Sequence, residues 1–203
     1  MERPTIGRNV MVVGSPGSGK STLAREIAGR FGHRLIHMDR IYWTAGWRLR
    51  PALDQLRMVE AAIDADGWIF DGNHTTSVQI RAKRADTLIW LDLPRSLCIA
   101  RVLKRVATGY GRVRQDMAEG CPERLDIGFL RWVWTFPRHS RPGLERLFDG
   151  FPRQKVQLTS AAAVAAYLAE VQGQQEAVRS AQPCAAAECR TRGEGSSSPP
   201  LQR

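Results

Sequence analysis

An α/β fold with a parallel, doubly wound sheet is predicted by three observations. Four apolar residues, Val10 to Val13, form the signature of a short buried strand. A glycine-rich turn follows, and from Ser21 onward Leu23, Ile27 and Phe31 recur at helical spacing with Ala24 and Ala28 beside them. Apolar strand-like runs then alternate with helical segments along the chain, as crossover connections in a parallel sheet require.

The elements read in order as follows. "HRLIHMD" is a second strand ending at Asp39, and "ALDQLRMVEAAIDADG" a helix with Leu53, Leu56, Val59 and Ile63 inward. "GWIFDGN" is a third strand. "DTLIWLDLP" is a fourth, stopped by Pro94, and "RSLCIARVLKRVA" a helix carrying Leu97, Val102 and Val106 toward the core. The fifth strand is "KVQLTS", where Thr159 or Ser160 can cap the helix "AAAVAAYLAEV". An insertion over about 107–142 begins glycine-rich and ends aromatic, and Phe129, Trp132, Val133 and Phe136 suit a helix packed on the main domain. Residues 1–172 are thus one domain. From Gly173 to Arg203 the chain is rich in Ala, Gly, Ser and Pro, and a disordered low-complexity tail is expected there.

The junction after the first strand carries the chemistry. Gly14-Ser15-Pro16-Gly17-Ser18-Gly19-Lys20-Ser21 fits G-x-x-x-x-G-K-[ST] at every fixed position. Glycine lets backbone N–H groups approach a phosphate chain with no side chain between, at the positive end of the helix that follows. Lys20 is placed to reach β and γ phosphates, and the Ser21 hydroxyl to bind Mg²⁺.

Composition bounds the rest. The 203 residues and 43% hydrophobic content suit one soluble domain. No window approaches the roughly 18 apolar residues of a membrane span, and no leader is evident, so a cytoplasmic location is expected. Cys98, Cys121, Cys184 and Cys189 form no C-x-x-C pair and no zinc spacing. The net charge of +10 implies an anionic partner. Half of it lies between Arg101 and Arg141, where nine basic residues face four acidic ones. Such an excess fits a segment closing over phosphates, or non-specific DNA binding through a basic lid.

The loop "GSPGSGKST" resembles the phosphate loop of adenylate kinases. The segments "HMDRIYWTAGW", "WIFDGNHTTS", "RADTLIWLDLPRSLCIARVLKR", "EGCPERLD" and "FLRWVWTFPRHSRP" resemble, in order, the bacterial adenylate-kinase-related proteins often labelled DNA topology modulation proteins. The resemblance covers roughly Asn9 to Val171. It implies a P-loop NTPase fold with a five-stranded parallel sheet of order 2-3-1-4-5, a nucleoside-kinase-like mobile lid, and ATP with Mg²⁺ as cofactors. Gly14, Gly17, Gly19, Lys20, Ser21 and Thr22 match that family's nucleotide loop, in which Ser15, Pro16 and Ser18 also lie.

Beyond the loop, two carboxylates compete for the metal's water shell. Asp71 ends the strand that in this fold lies beside the loop strand, whereas Asp92 ends the strand on the other side, so Asp71 is preferred. Asp39, at the end of the second strand, can orient and deprotonate an acceptor hydroxyl, as small-molecule kinases of this fold do with a similarly placed aspartate, or it is a strand-end turn residue. An acceptor phosphate would instead need the charge of Arg40, Arg48 and Arg50. Arg101 and Arg105 enter the lid, Arg112 and Arg114 lie at its tip, and Arg138 and Arg141 leave it; two or three of these six are expected on phosphate. The function expected is transfer of the γ-phosphoryl of ATP to a nucleotide or another small molecule. The alternative is an ATP-dependent DNA-binding protein.

Overall fold

The computed structural model describes residues 6–73 and 75–181, with Thr75 and the last eight residues described in their backbone alone. β1 (Asn9–Gly14) is buried along its whole length and forms the centre of the sheet. It pairs in parallel with β5 (Trp68–Asp71) on one side and β6 (Thr87–Leu91) on the other. β2 (Arg34–His37) lies beyond β5, and β7 (Gln154–Leu158) beyond β6. The order is β2-β5-β1-β6-β7, which is 2-3-1-4-5 when the five strands of this sheet are counted alone. The two remaining strands, β3 (Trp43–Thr44) and β4 (Arg48–Leu49), form a separate antiparallel ribbon that the hydrophobic pattern did not announce.

Alternation along β1 divides the core between the two faces. Val10 and Val12 pack with Leu23 and Ile27 of α1 (Lys20–Phe31) and with Tyr167 and Val171 of α8 (Ala161–Ala181). Met11 and Val13 face α3 (Ala52–Ile63), α4 (Thr75–Arg84), α6 (Ile127–His139) and α7 (Arg141–Asp149), in a core that includes Val59, Ile63, Phe136 and Leu144. A strand buried on both faces needs apolar residues at consecutive positions, which is what Val10 to Val13 supply. Val102 and Val106 of α5 (Arg95–Gly109) are buried as expected, with Leu97 partly so. Ser160 caps α8, its hydroxyl accepting from the Ala163 N–H at 3.0 Å.

Three readings are corrected. β2 ends at His37, and Asp39 lies instead in the first turn of α2 (Met38–Tyr42). In α3 the helix starts after Pro51, a phase that turns Leu53 outward and buries Gln55, whose side chain donates to the Arg50 carbonyl at 2.6 Å. α8 continues through Gly173 to Ala181, past the expected start of the tail; residues 182–203 lie outside the described residues. The insertion resolves into an irregular excursion, 110–126, followed by α6 and α7, which pack on the main body. We call 110–126 the lid. None of the described helices is long and apolar enough to cross a membrane.

Candidate functional site

The glycine loop is shaped by close packing. A Cβ on Gly14 would lie 2.3 Å from the Leu91 carbonyl oxygen, and one on Gly17 2.3 Å from that of Cys98. Only glycine lets the loop settle against β6 and α5, and both residues have positive φ, 143° and 79°. Gly19 precedes α1 in the left-handed region with no side chain capping the helix. The N-terminal N–H groups of α1 are therefore left to an anion. Lys20 folds back over the loop, its Nζ donating to the Ser15 carbonyl at 3.0 Å, and Arg101 donates to the Ser18 carbonyl at 3.0 Å. Ser15 and Ser18 are buried, Pro16 and Ser21 half-buried, and Thr22 is exposed on the first turn of α1.

The strand ends supply the acids. Asp71 stands opposite Val12 of β1 and His37 of β2 in the sheet register. Its Oδ2 meets His37 Nδ1 at 3.0 Å in a buried pair, while its Oδ1 is buried with no hydrogen bond among the described residues. Directly after it, Gly72 passes so close to Met38 that a Cβ would lie 2.4 Å from the Met38 Cβ. Asn73 then grips the loop from below: its Oδ1 accepts the Gly14 N–H at 2.8 Å and its Nδ2 donates to the Gly14 carbonyl at 2.7 Å. The fully buried Arg81 holds this turn, donating to the carbonyls of Gly72 and Asn73 at 2.8 and 3.2 Å and lying over the Phe70 ring. Burial pulls its pKa down to about 9, against the attraction of Asp71, and it stays charged at neutral pH.

Asp92 is occupied elsewhere. Arg141 donates to it through Nε at 3.0 Å and Nη2 at 2.9 Å, and Gln157 adds a third donor at 2.9 Å. This pairing raises the Arg141 pKa and ties α7 to the end of β6. Asp92 and Arg141 thus form a structural clamp in this conformation, whereas one oxygen of Asp71 has no partner among the described residues. Arg138 is exposed and makes no ion pair among the described residues.

Asp39 is exposed, yet enough protein surrounds its carboxyl to raise it above the usual range; Lys20 and Arg114 oppose this shift while Asp71 and Asp116 add to it. These four neighbours place Asp39 at the mouth of the loop. Asp116 comes from the lid. Burial would raise its carboxyl, but Arg114, a hydrogen bond with the Ser21 side chain and the field of His37 together hold it low. The lid's own frame is Glu123, buried beside two guanidiniums, with Arg105 at 3.0 Å and Arg114 at 2.8 Å. Burial lowers the Arg105 pKa, as does Arg114, and Glu123 works against both. Arg101 is therefore the lid-entry arginine that reaches the loop, and Arg105 and Arg114 turn inward. Arg112 at the tip is exposed.

Asn73, His37, Arg81, Asp116 and Glu123 were not singled out in the sequence. Their importance arises from pairings between residues 18 to 59 positions apart or from burial, which no local period signals. Asn73 had one trace, the Asp-Gly-Asn run at a strand end, a turn composition beside a functional strand.

No family model matches the sequence. Adenylate kinases of two Porphyromonas gingivalis strains are 28% identical to it over an alignment taking in 59% of this chain and 75% of theirs. Shikimate kinase from Bacteroides thetaiotaomicron superposes with a TM-score of 0.50 at 12% identity, covering 83% of this chain and 98% of that one. Shikimate kinase from Acinetobacter baumannii, solved in complex with shikimate, gives 0.51 at 15% identity, covering 87% and 95%. The chain is similar in sequence to adenylate kinases and has the α/β fold of the P-loop kinases.

Proposed function

We propose that this protein is a kinase that transfers the γ-phosphoryl of ATP to a small-molecule or nucleotide acceptor. The observation that carries the reading is the convergence of the glycine loop, Lys20, Arg101 and three carboxylates, Asp39, Asp71 and Asp116, at one end of the sheet. The similarity to adenylate kinases supports it. Two buried atoms without partners among the described residues, Asp71 Oδ1 and Ser18 Oγ, fit a site that is completed by Mg²⁺ and phosphate. When bound, ATP with Mg²⁺ supplies the phosphoryl group and much of the charge neutralisation.

The chain's own residues do the rest. The backbone from Gly14 to Thr22 holds the phosphates, and Ser21 and Asp71 hold the ion, with His37 orienting the Asp71 carboxylate. Lys20 and Arg101 place positive charge where negative charge develops during transfer. Asp39 takes the proton of an acceptor hydroxyl; its raised pKa makes it a stronger base than an ordinary carboxylate. Arg138, exposed in the last turn of α6, is a further candidate for contact with phosphate.

The competing DNA-binding reading has less support. Arg105, Arg114, Arg124 and Arg141 in the basic segment are each paired with a carboxylate, so the segment is far from a free cationic stripe. Incubating the protein with γ-labelled ATP and a panel of nucleoside monophosphates, sugars and hydroxy acids tests the proposal. Label should pass to at least one acceptor, and Lys20→Ala should abolish the transfer. Transfer to none, alongside DNA affinity that survives high salt, would overturn it.

A further inference from the structure

A cavity of about 390 Å³ opens between the last turns of α4 and α7, lined by Lys83 of the first helix, Arg146 of the second and Arg153 of the segment before β7. Leu147, Phe151 and Pro152 add apolar surface, and no acidic residue belongs to the lining. The volume is that of a small-metabolite site. The cavity lies at the far end of the sheet from the glycine loop. Arg153 directly precedes Gln154, which pairs with Thr87 at the start of β6, whereas Gly14 pairs with Leu91 at the other end of that strand. The length of β6 alone separates the two ends by about 13 Å.

Basic residues in the last turn of a helix ordinarily serve its free carbonyls. Here two other cations take that role. Arg153 donates Nη1 to the carbonyls of Lys83 and Ala85 at 3.1 and 2.6 Å, closing the end of α4, and Lys155 donates to those of Phe148 and Asp149 at 2.7 and 3.0 Å, closing α7. The Lys83 ammonium and the Arg146 guanidinium, both on exposed residues, have neither a hydrogen bond nor an ion pair among the described residues, and the same holds for Nε and Nη2 of Arg153. Three cations around a cavity without an acid make its potential positive. One of them is already anchored.

We propose that this cavity is a second ligand site, remote from the glycine loop, for a phosphate monoester with an apolar body, and that the ligand bridges α4 and α7. Three positive groups match the double charge of a phosphate monoester better than the single charge of a carboxylate, and guanidiniums bind it through paired hydrogen bonds. Leu147 and Pro152 offer the body its surface. Both helices lead from the cavity to the loop's end of the sheet. α4 begins two residues after Asn73, which holds Gly14, and its Arg81 donates to the carbonyls of Gly72 and Asn73. α7 begins at Arg141, which holds Asp92. A ligand on the last turns of these helices therefore acts on the pair whose first turns frame the loop, and nucleotide affinity changes when the cavity fills. The site itself stands apart from the kinase reading; its effect on the nucleotide rests on it.

Backbone amide NMR of the full chain, presaturated with AMP-PNP and Mg²⁺ to fill the glycine loop, tests the site residue by residue. Phenyl phosphate should shift amides within 79–83 and 146–153 with one common Kd, and benzoate should bind there more weakly. Lys83→Ala and Arg146→Ala should each weaken phenyl phosphate by about fivefold, the loss of one charged contact open to solvent. Lys83→Glu combined with Arg146→Glu should abolish binding. Both residues are exposed, so these variants keep the fold. Absence of shifts in the two segments, an unchanged Kd in both alanine variants, or benzoate or neutral benzyl alcohol binding as tightly as phenyl phosphate would overturn the site. Calorimetry of AMP-PNP with and without saturating phenyl phosphate tests the coupling, which should change each ligand's Kd by the same factor, about fivefold or more. An unchanged AMP-PNP Kd would overturn the coupling, as would a change that persists in the double glutamate variant, because it would then arise at the loop itself. Failure of AMP-PNP to bind would remove the kinase reading, and the shifts produced by phenyl phosphate in the nucleotide-free protein would still decide the site.

Discussion

Asn73 gives the sharpest test of how the site is built. Its amide satisfies both the N–H and the carbonyl of Gly14, the residue at which β1 becomes the phosphate loop. Asn73→Ala removes both bonds. At about 1 kcal/mol net for each hydrogen bond the loss is about 2 kcal/mol. For a chain of this size that corresponds to a drop in Tm of roughly 4–8 °C. Asn73→Asp is the more telling change. One carboxylate oxygen still accepts from Gly14 N–H, but the other faces the Gly14 carbonyl in place of a donor, and a full negative charge now stands beside the phosphate site. At an effective dielectric of about 20, unit charges even ~12 Å apart repel by about 1.4 kcal/mol, a factor of ten in affinity. Thermal melting of the apo protein and calorimetry with AMP-PNP separate the two effects. The Ala variant should lose stability and some affinity, and the Asp variant should lose about tenfold more affinity than the Ala variant. Equal nucleotide affinity in the two variants, or an unchanged Tm in Asn73→Ala, would refute the claim that this amide shapes the loop.

Other substitutions divide catalytic from structural charge. Asp92→Asn should weaken the Arg141 clamp, lowering stability by about 1 kcal/mol with the Mg²⁺ requirement intact, whereas Asp71→Asn should raise the Mg²⁺ needed for turnover; Mg²⁺ titrations of both decide. Arg101→Ala should lower kcat by about 10³-fold with little change in Tm, because it acts on the loop. Arg105→Ala leaves the buried Glu123 with one guanidinium and should cost about 1–3 kcal/mol, read in urea midpoints; a kcat loss with unchanged stability would reverse that assignment. Asp39→Asn should abolish transfer to a hydroxyl acceptor yet raise Tm near pH 7. The native state disfavours the charged form of Asp39, so its ionisation costs stability once the pH exceeds its unfolded pKa; below both pKa values, near about pH 3, mutant and wild type should melt together.

What the sequence alone determined is local. The loop and the buried strand before it are contiguous patterns: Val10 to Val13 can be buried on both sheet faces, and Gly14, Gly17 and Gly19 can take the positive φ that the loop demands. Its likeness to adenylate kinases also carried the sheet order, which the structure reproduces. Tertiary structure decided everything that depends on partners distant in sequence. The sequence ranked Asp71 over Asp92 by strand position; that Asp92 binds Arg141 follows from how α7 meets the end of β6, while Asp71 keeps one oxygen without a partner among the described residues. The lid arginines look alike in sequence, but a buried Glu123 claims Arg105 and Arg114 and leaves Arg101 on the loop. Arg40 on α2 and Arg50 just after β4 line one pocket with Met117 to Glu119 of the lid while Arg48 on β4 does not, a difference set by a ribbon of two-residue strands too short for any period to reveal and by the lid's position over it. A helix or strand is encoded by neighbours whose energies are felt within a few residues. The direction in which a charged side chain finds its counter-charge is set by the whole packed molecule, because burial makes an unpaired charge too costly to leave alone.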